Sequence, residues 1–127
     1  MNSSPDSGID IQVSTQYLQQ QSDPARASYA FAYTITITNQ RSESVRLLSR
    51  HWIITDQSNR IDEVKGNGVV GQQPLIAPGQ SYQYSSGAVL TTETGDMQGS
   101  YTMQSASGEL FEAPIPLFVL AAPHMLH

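Results

Sequence analysis

Residues 65 to 73 read KGNGVVGQQ, which sets Gly66, Gly68 and Gly71 in the G-x-G-x-x-G spacing of a pyrophosphate-binding turn. In a dinucleotide-binding fold such a turn joins a strand to a helix, and the helix N-terminus receives the anion. Here Pro74 and Pro78 follow at once. Proline removes a donor and restricts the residue before it, so no helix is expected there. Glu93, the acid that would bind a ribose, falls in the turn-like stretch TTETG. A Walker A loop is excluded because Gln72 and Gln73 stand where Lys and Ser or Thr are required. A kinase-type glycine loop between two strands suits the context, but the other kinase signatures are absent. What remains is an anion-binding nest of backbone amides around Gly66, Gly68 and Gly71, with Lys65 beside it and Arg50 and Arg60 near in sequence. The plainer use of the same glycines is to permit positive φ angles or close packing.

Other candidates for chemistry are sparse. His51 lies in a strand between Arg50 and Trp52 and could serve as base or ligand, although a lone strand histidine is ordinarily structural. His124 and His127 form an H-x-x-H pair in the last four residues, where two ligands do not close a metal site. GQSYQ around Ser81 begins like a nucleophile elbow but lacks the second glycine and the helix. Asp56, Asp62 and Glu63 flank one short strand and could share a hard cation, or simply be polar turn residues. No catalytic residue, metal site or cofactor is therefore assigned from the residues, and an enzyme ranks last among the readings.

Composition narrows the classes further. The 127 residues suit one domain and one core. Charged residues make up only 13%, and the net charge of −5 argues against a nucleic-acid binder or a ligand of anionic membranes. The charge is uneven: five of the six basic residues lie between Arg41 and Lys65, so a small anion would be drawn to the middle of the chain. Without cysteine there is no disulfide or thiolate chemistry. No stretch has the length and apolarity of a transmembrane helix and the N-terminus has no signal-peptide pattern, which predicts a cytoplasmic protein.

The elements that would position these residues read as strands. From Ile9, period-two alternation puts Ile9, Ile11, Val13 and Tyr17 on one face. SYAFAYTITITN points Tyr29, Phe31, Tyr33, Ile35 and Ile37 inward, with Trp52 joining the same core. Asn39 to Ser44 reads as a polar turn. In VRLLSRHWIITD the pairs Leu47–Leu48 and Ile53–Ile54 break alternation, so that strand is either covered on both faces or bulged. Asp56 to Asn59 is a turn, RIDEV a short strand, and further strands contain Tyr82 and Tyr84, GSYTMQS and LFEAPIPLFVL. Pro114 and Pro116 lie two apart, which suits an edge. Seven to eight strands without a helical window predict an all-β, antiparallel, immunoglobulin-like sandwich over residues 9–120, with loose tails at 1–8 and 121–127.

The ordered blocks LLSRHWIITD, VKGNGVVGQQPLIAPG, YQYSSGAVLTTETGDMQGSYTM and FEAPIPLF resemble the ApaG family (CorD-like proteins) from about Ile9 to Leu120. The family's G-x-G-V-V-G loop matches Gly66 to Gly71, and its Arg-His-Trp block matches Arg50, His51 and Trp52. The resemblance implies a fibronectin type III-like sandwich and an association with cobalt and magnesium resistance or efflux. It also implies a neighbourhood with diadenosine tetraphosphate hydrolysis and, in eukaryotic fusions, protein–protein interaction. A chain without a membrane segment would influence ion levels only indirectly. The expectation is a non-enzymatic adaptor that binds a protein partner through a sheet edge or face, with a homodimer through the same surface also considered. The alternative is a phosphate or nucleotide sensor built on the Gly66–Gly71 loop.

Overall fold

Alternating aromatic and β-branched residues become eight strands in the computed structural model, which describes residues 7–123. They are β1 (Ile9–Tyr17), β2 (Tyr29–Asn39), β3 (Val45–Asp56), β4 (Ile61–Asn67), β5 (Leu75–Ile76), β6 (Ser81–Leu90), β7 (Thr94–Ser105) and β8 (Leu110–Ala121). Two antiparallel sheets result, β1-β2-β6 and β4-β3-β7-β8, with β5 paired to β3. The connection from β1 to β2 carries two single turns of 3-10 helix, Gln19–Gln21 and Pro24–Arg26. Among the described residues, no helix is long and apolar enough to cross a membrane.

The inward residues of both sheets meet as the alternation requires. Phe31, Tyr33, Ile35 and Ile37 of β2 face Trp52 of β3, Met97 and Tyr101 of β7 and Ile115 of β8, all buried. The hydroxyls of Tyr84 and Tyr101 lie 2.5 Å apart inside this core, and burial raises the pKa of both phenols. Each satisfies the other, so neither polar group is stranded.

Of the two doublets in β3, one is a bulge and one is not. The β3–β7 register shifts between Leu47 and Ser49, leaving Leu48 as the extra residue. The bulge reverses which parity faces the core. Val45 and Leu47 are inward before it and Trp52 after it, so Arg50 turns toward the interior side and His51 toward the outer face. Ile53 and Ile54 keep register, and Ile54 packs against the core edge.

Four boundaries differ from the sequence reading. Ser7 is buried and Gln40 N–H donates to the Gly8 carbonyl at 2.9 Å, so the N-terminal tail is packed from Ser7 onward. At the other end β8 runs to Ala121, and the buried Ala122 donates to Glu93 O at 3.0 Å. The His124/His127 pair lies outside the described residues. β7 starts at Thr94, earlier than GSYTMQS suggested, because it must pair with all of the long β3. Asn39 is no turn residue but the fully buried end of β2: its Nδ2 donates to Glu43 O (2.8 Å) and Ile76 O (2.9 Å), and its Oδ1 accepts Arg41 N–H (2.9 Å).

Asp56 closes β3 and launches β4. Its Oδ1 accepts the Ser58 amide (2.9 Å), the Ser58 hydroxyl (2.8 Å) and the Arg60 amide (2.9 Å). The Ser58 hydroxyl is the largest of the contacts that hold its carboxyl below the ordinary aspartate pKa.

Candidate functional site

A sheet of three strands cannot cover one of four. β1 lies over β8, which sets β2 over β7 and β6 over β3 and leaves β4 at the rim, beyond the last strand of the smaller sheet. Every residue of β4 except the half-buried Gly66 is exposed. The hydrogen-bond ladder shows which backbone groups face outward. At one end Asp56 N–H donates to Arg60 O (3.0 Å), and at the other Gly68 N–H donates to Leu48 O (2.7 Å). Antiparallel pairs alternate between bonded and non-bonded, so residues 60, 62, 64, 66 and 68 point their backbone groups at β3. Ile61, Glu63 and Lys65 point theirs away, along an unpaired edge, while the Asn67 carbonyl at the end of the strand accepts from Arg50 Nη1 (3.1 Å).

The glycine motif straddles this strand and the hairpin after it, and is not a free loop throughout. Gly66 sits in β4 opposite Arg50, whose guanidinium lies so close that a Cβ would come within 2.8 Å of it. From there Arg50 Nη1 donates to Asn67 O (3.1 Å) and Gly68 O (2.9 Å). Gly68 has φ +61, and a Cβ there would lie 2.2 Å from the Gln72 carbonyl oxygen. Val69 and Gln72 then exchange both backbone bonds (2.8 and 2.9 Å) around a two-residue turn. Its central residues Val70 (φ 48) and Gly71 (φ 76) both have positive φ, the pattern of a type I′ turn.

A β-branched residue at positive φ is strained by roughly 1–2 kcal/mol. Val70 is also 62% exposed, so packing does not compensate for the strain. The variant Val70→Asn is therefore expected to stabilise the protein by about 1 kcal/mol, raising the melting temperature by about 3–6 °C in a thermal denaturation scan. An unchanged or lower melting temperature would mean that the valine side chain makes a contact worth as much as the strain.

The structure gathers only part of the six candidate anion ligands: Arg50, Lys65 and Gly66 line one open depression with His51, Asn67 and Glu112, and Gly68, Gly71 and Arg60 lie outside it. The amides of Gly68, Val69 and Gln72 are consumed within the hairpin, and Arg50 is bound to carbonyls. Arg60 lies at the far end of β4, beside Asp62 at 3.8 Å. Lys65 pairs with His51 in register and so projects from the outer face, opposite to Arg50. The basic run of the sequence disperses in the same way. Arg41 binds Glu109 (2.7 Å) across the Phe111 ring, and Arg46 donates to Gln73 O (2.8 Å). Among the described residues, the Val70 and Gly71 amides at the tip and the Lys65 ammonium have no protein partner.

On the outer face His51 Nε2 and Glu63 Oε2 are 2.5 Å apart. Between β7 and β8, Glu112 accepts from Ser100 (3.1 Å) and Thr102 (2.7 Å). The described residues hold no group of three or more His, Asp or Glu side chains fit for a metal ion: Asp56 and Asp62 line one small depression with Arg60, and Glu63 turns to His51 on the outer face. On the inner side, a groove of about 290 Å³ opens between the β4 end and β6, lined by Tyr33, Trp52, Val69, Val70, Tyr84 and the Arg50 stem. This groove was not foreseen from the sequence, since its walls come from both sheets. The only hint was the Leu47–Leu48 doublet, whose bulge brings Arg50 to its floor.

Residues 19–105 match the family model described as the ApaG domain. A protein named ApaG from Pseudomonas putida is 55% identical over 125 residues, covering 98% of this chain and 99% of its own length. The chain belongs to the ApaG family. An ApaG protein from Thiobacillus denitrificans shares 55% identity over 119 residues, 94% of each chain. A solved structure described as an ApaA protein from Bordetella pertussis superimposes with a TM-score of 0.88 at 49% identity, covering 91% of this chain and 94% of the other. The ApaG match runs from the first 3-10 turn to the end of β7, so it contains β4, the hairpin and the groove.

Proposed function

We propose that this ApaG chain is a non-enzymatic protein-binding module, an adaptor that recruits an extended segment by adding it as a strand to β4. The observation behind this reading is the β4 edge: exposed, free of proline, and presenting the outward N–H and C=O groups of Ile61, Glu63 and Lys65. The other outer strand of the same sheet, β8, contains Pro114 and Pro116 and is poorly suited to the task. Backbone bonds along β4 supply affinity, and the adjoining groove with its aromatic walls offers a place for a side chain, hence specificity. The family's association with cobalt and magnesium is then exerted through the bound partner. The phosphate reading has in its favour the two tip amides and the depression shared by Lys65, Gly66 and Arg50, but the Arg50 guanidinium is already bound to the Asn67 and Gly68 carbonyls and Glu112 lines the same depression.

Peptides selected from a random library against the folded protein test this. Mapped by amide NMR shifts, they are expected to perturb Ile61, Glu63 and Lys65 and to slow exchange of those amides. Selected ligands that leave β4 unperturbed would overturn the strand-addition reading. Saturable shifts at Val70 and Gly71 with pyrophosphate or ATP, persisting at moderate salt, would put the phosphate sensor in its place.

A further inference from the structure

We propose that the β4 edge pairs with the β4 edge of a second copy of this chain, antiparallel, about a two-fold axis at Val64. The proposal rests on reading that edge as a binding edge and adds which partner it takes.

Only the outward-facing residues of β4 can exchange bonds across such a junction, so an odd-numbered residue must stand opposite an odd-numbered residue. With the axis at Val64, Glu63 stands opposite Lys65 of the partner subunit, and Lys65 opposite Glu63 of the partner subunit. These are the two bonded pairs nearest the axis, and both join unlike charges. Val64 meets its own copy at the close, non-bonded position where side chains touch. Asp62 falls opposite Gly66 of the partner subunit. In each protomer the Arg50 guanidinium covers that glycine, so the remaining acid also meets a cation. Lys65 has no partner within the described residues of its own chain, and the Glu63 carboxylate uses one oxygen, Oε2, for His51.

The neighbouring registers fail on charge. Moving the axis by one residue sets Glu63 against Glu63 or Lys65 against Lys65, and moving it to Asp62 sets two aspartates together. Like charges directly opposite destabilise a ladder. Charges on an edge strand ordinarily discourage pairing. Here the same charges repel in those registers and attract in this one. Val64 is also the middle of the seven residues of β4, so the favoured register overlaps the strand along its length, with the two Glu63–Lys65 pairs at its centre and the Asn67 carbonyl left to Arg50.

The surrounding architecture leaves room. An axis perpendicular to the sheet keeps both three-stranded sheets on one side, separated by the uncovered β4 strands. The product is a continuous sheet of ten strands, counting the short β5 of each protomer, with a β8 at each end, where Pro114 and Pro116 oppose further growth. Exposed Val64 gains a partner on the inner face, and Ile61 is brought beside Asn67 of the partner subunit. The contact is one strand wide, smaller than the roughly 1,000 Å² of a stable interface, so dissociation constants of about 10 μM to 1 mM are expected.

Sedimentation equilibrium over about 10 μM to 1 mM protein, at low salt, tests the proposal. The expected result is a monomer–dimer equilibrium in which Glu63→Lys and Lys65→Glu each weaken association about tenfold or more. The double variant E63K/K65E should restore it, because exchanging both charges recreates the same pairs. Both positions are exposed, and circular dichroism confirms that each variant is folded. A strict monomer, a dimer indifferent to the single variants, or a double variant no better than the singles would each overturn the proposal. If the monomer still binds library peptides along Ile61, Glu63 and Lys65, the edge remains a docking strand for other proteins. If those peptides fail as well, both readings fall.

Discussion

Trp52→Ala is expected to cost about 3–5 kcal/mol, the loss typical of deleting a large buried aromatic. Total stability for a domain of this size is about 5–15 kcal/mol, so the variant should unfold at a far lower urea concentration. Trp52 is 3% exposed and is the point at which both sheets meet. Its ring lies 5.5 Å from Tyr33 of β2, 5.8 Å from Phe118 of β8 and 6.4 Å from Tyr101 of β7, each tilted edge toward face. Such pairs contribute about 0.5–1.5 kcal/mol beyond the area they bury. Trp52→Phe keeps part of this set and should cost less than half as much. A loss below about 1 kcal/mol for Trp52→Ala would show that the sheets are held together elsewhere. The same ring forms the wall of the groove beside β4, so Trp52→Phe is the variant with which to measure peptide affinity without unfolding the protein.

Asn39→Ala should cost about 3 kcal/mol by a different route. Beyond the small space left by the fully buried amide, the carbonyls of Glu43 and Ile76 lose their donor and the Arg41 amide loses its acceptor. Each buried group left unpaired costs about 1–3 kcal/mol, and relaxation or entering water returns part of that. Asn39→Asp separates shape from chemistry. It keeps the outline and the acceptor for Arg41, yet puts an anionic carboxylate against two carbonyl oxygens. Its folded-state pKa must therefore lie above the unfolded value. The penalty is then full at neutral pH and shrinks as pH falls and the acid becomes a donor. Urea unfolding of Asn39→Asp at several pH values measures this, and a penalty independent of pH would refute the assigned contacts.

Asn39 also marks the limit of reading the chain by local pattern. Asn followed by Gln-Arg-Ser reads as a turn, and the turn is there, at residues 40–44. The overlooked signal was parity: Asn39 continues the odd-numbered series Tyr29 to Ile37 that faces the core. A polar residue at an inward position is either an error of register or the centre of a hydrogen-bonded knot, and here it is the knot. Leu47–Leu48 taught the opposite lesson, since the broken alternation announced a bulge or a doubly covered strand and the bulge is present.

The strands and their inward faces were legible in the amino-acid sequence because side-chain direction in a strand repeats every two residues, a strictly local rule. All-β class, a single sandwich, an edge marked by Pro114 and Pro116 and membership of the ApaG family followed from the chain alone. The site did not, because it depends on which strands lie opposite one another. The bulge at Leu48 sends Arg50 inward and leaves Lys65 and His51 outward, so a basic run continuous in sequence is divided between two faces. The glycine motif spends its Gly68 amide on Leu48 of β3 and its Val69 amide on Gln72 across the hairpin, leaving only the tip amides of Val70 and Gly71. A three-stranded sheet laid over four strands leaves β4 uncovered, and no local pattern within β4 could have said so. Exposure of an edge is a property of the packing of sheets, decided by contacts between residues far apart in the chain.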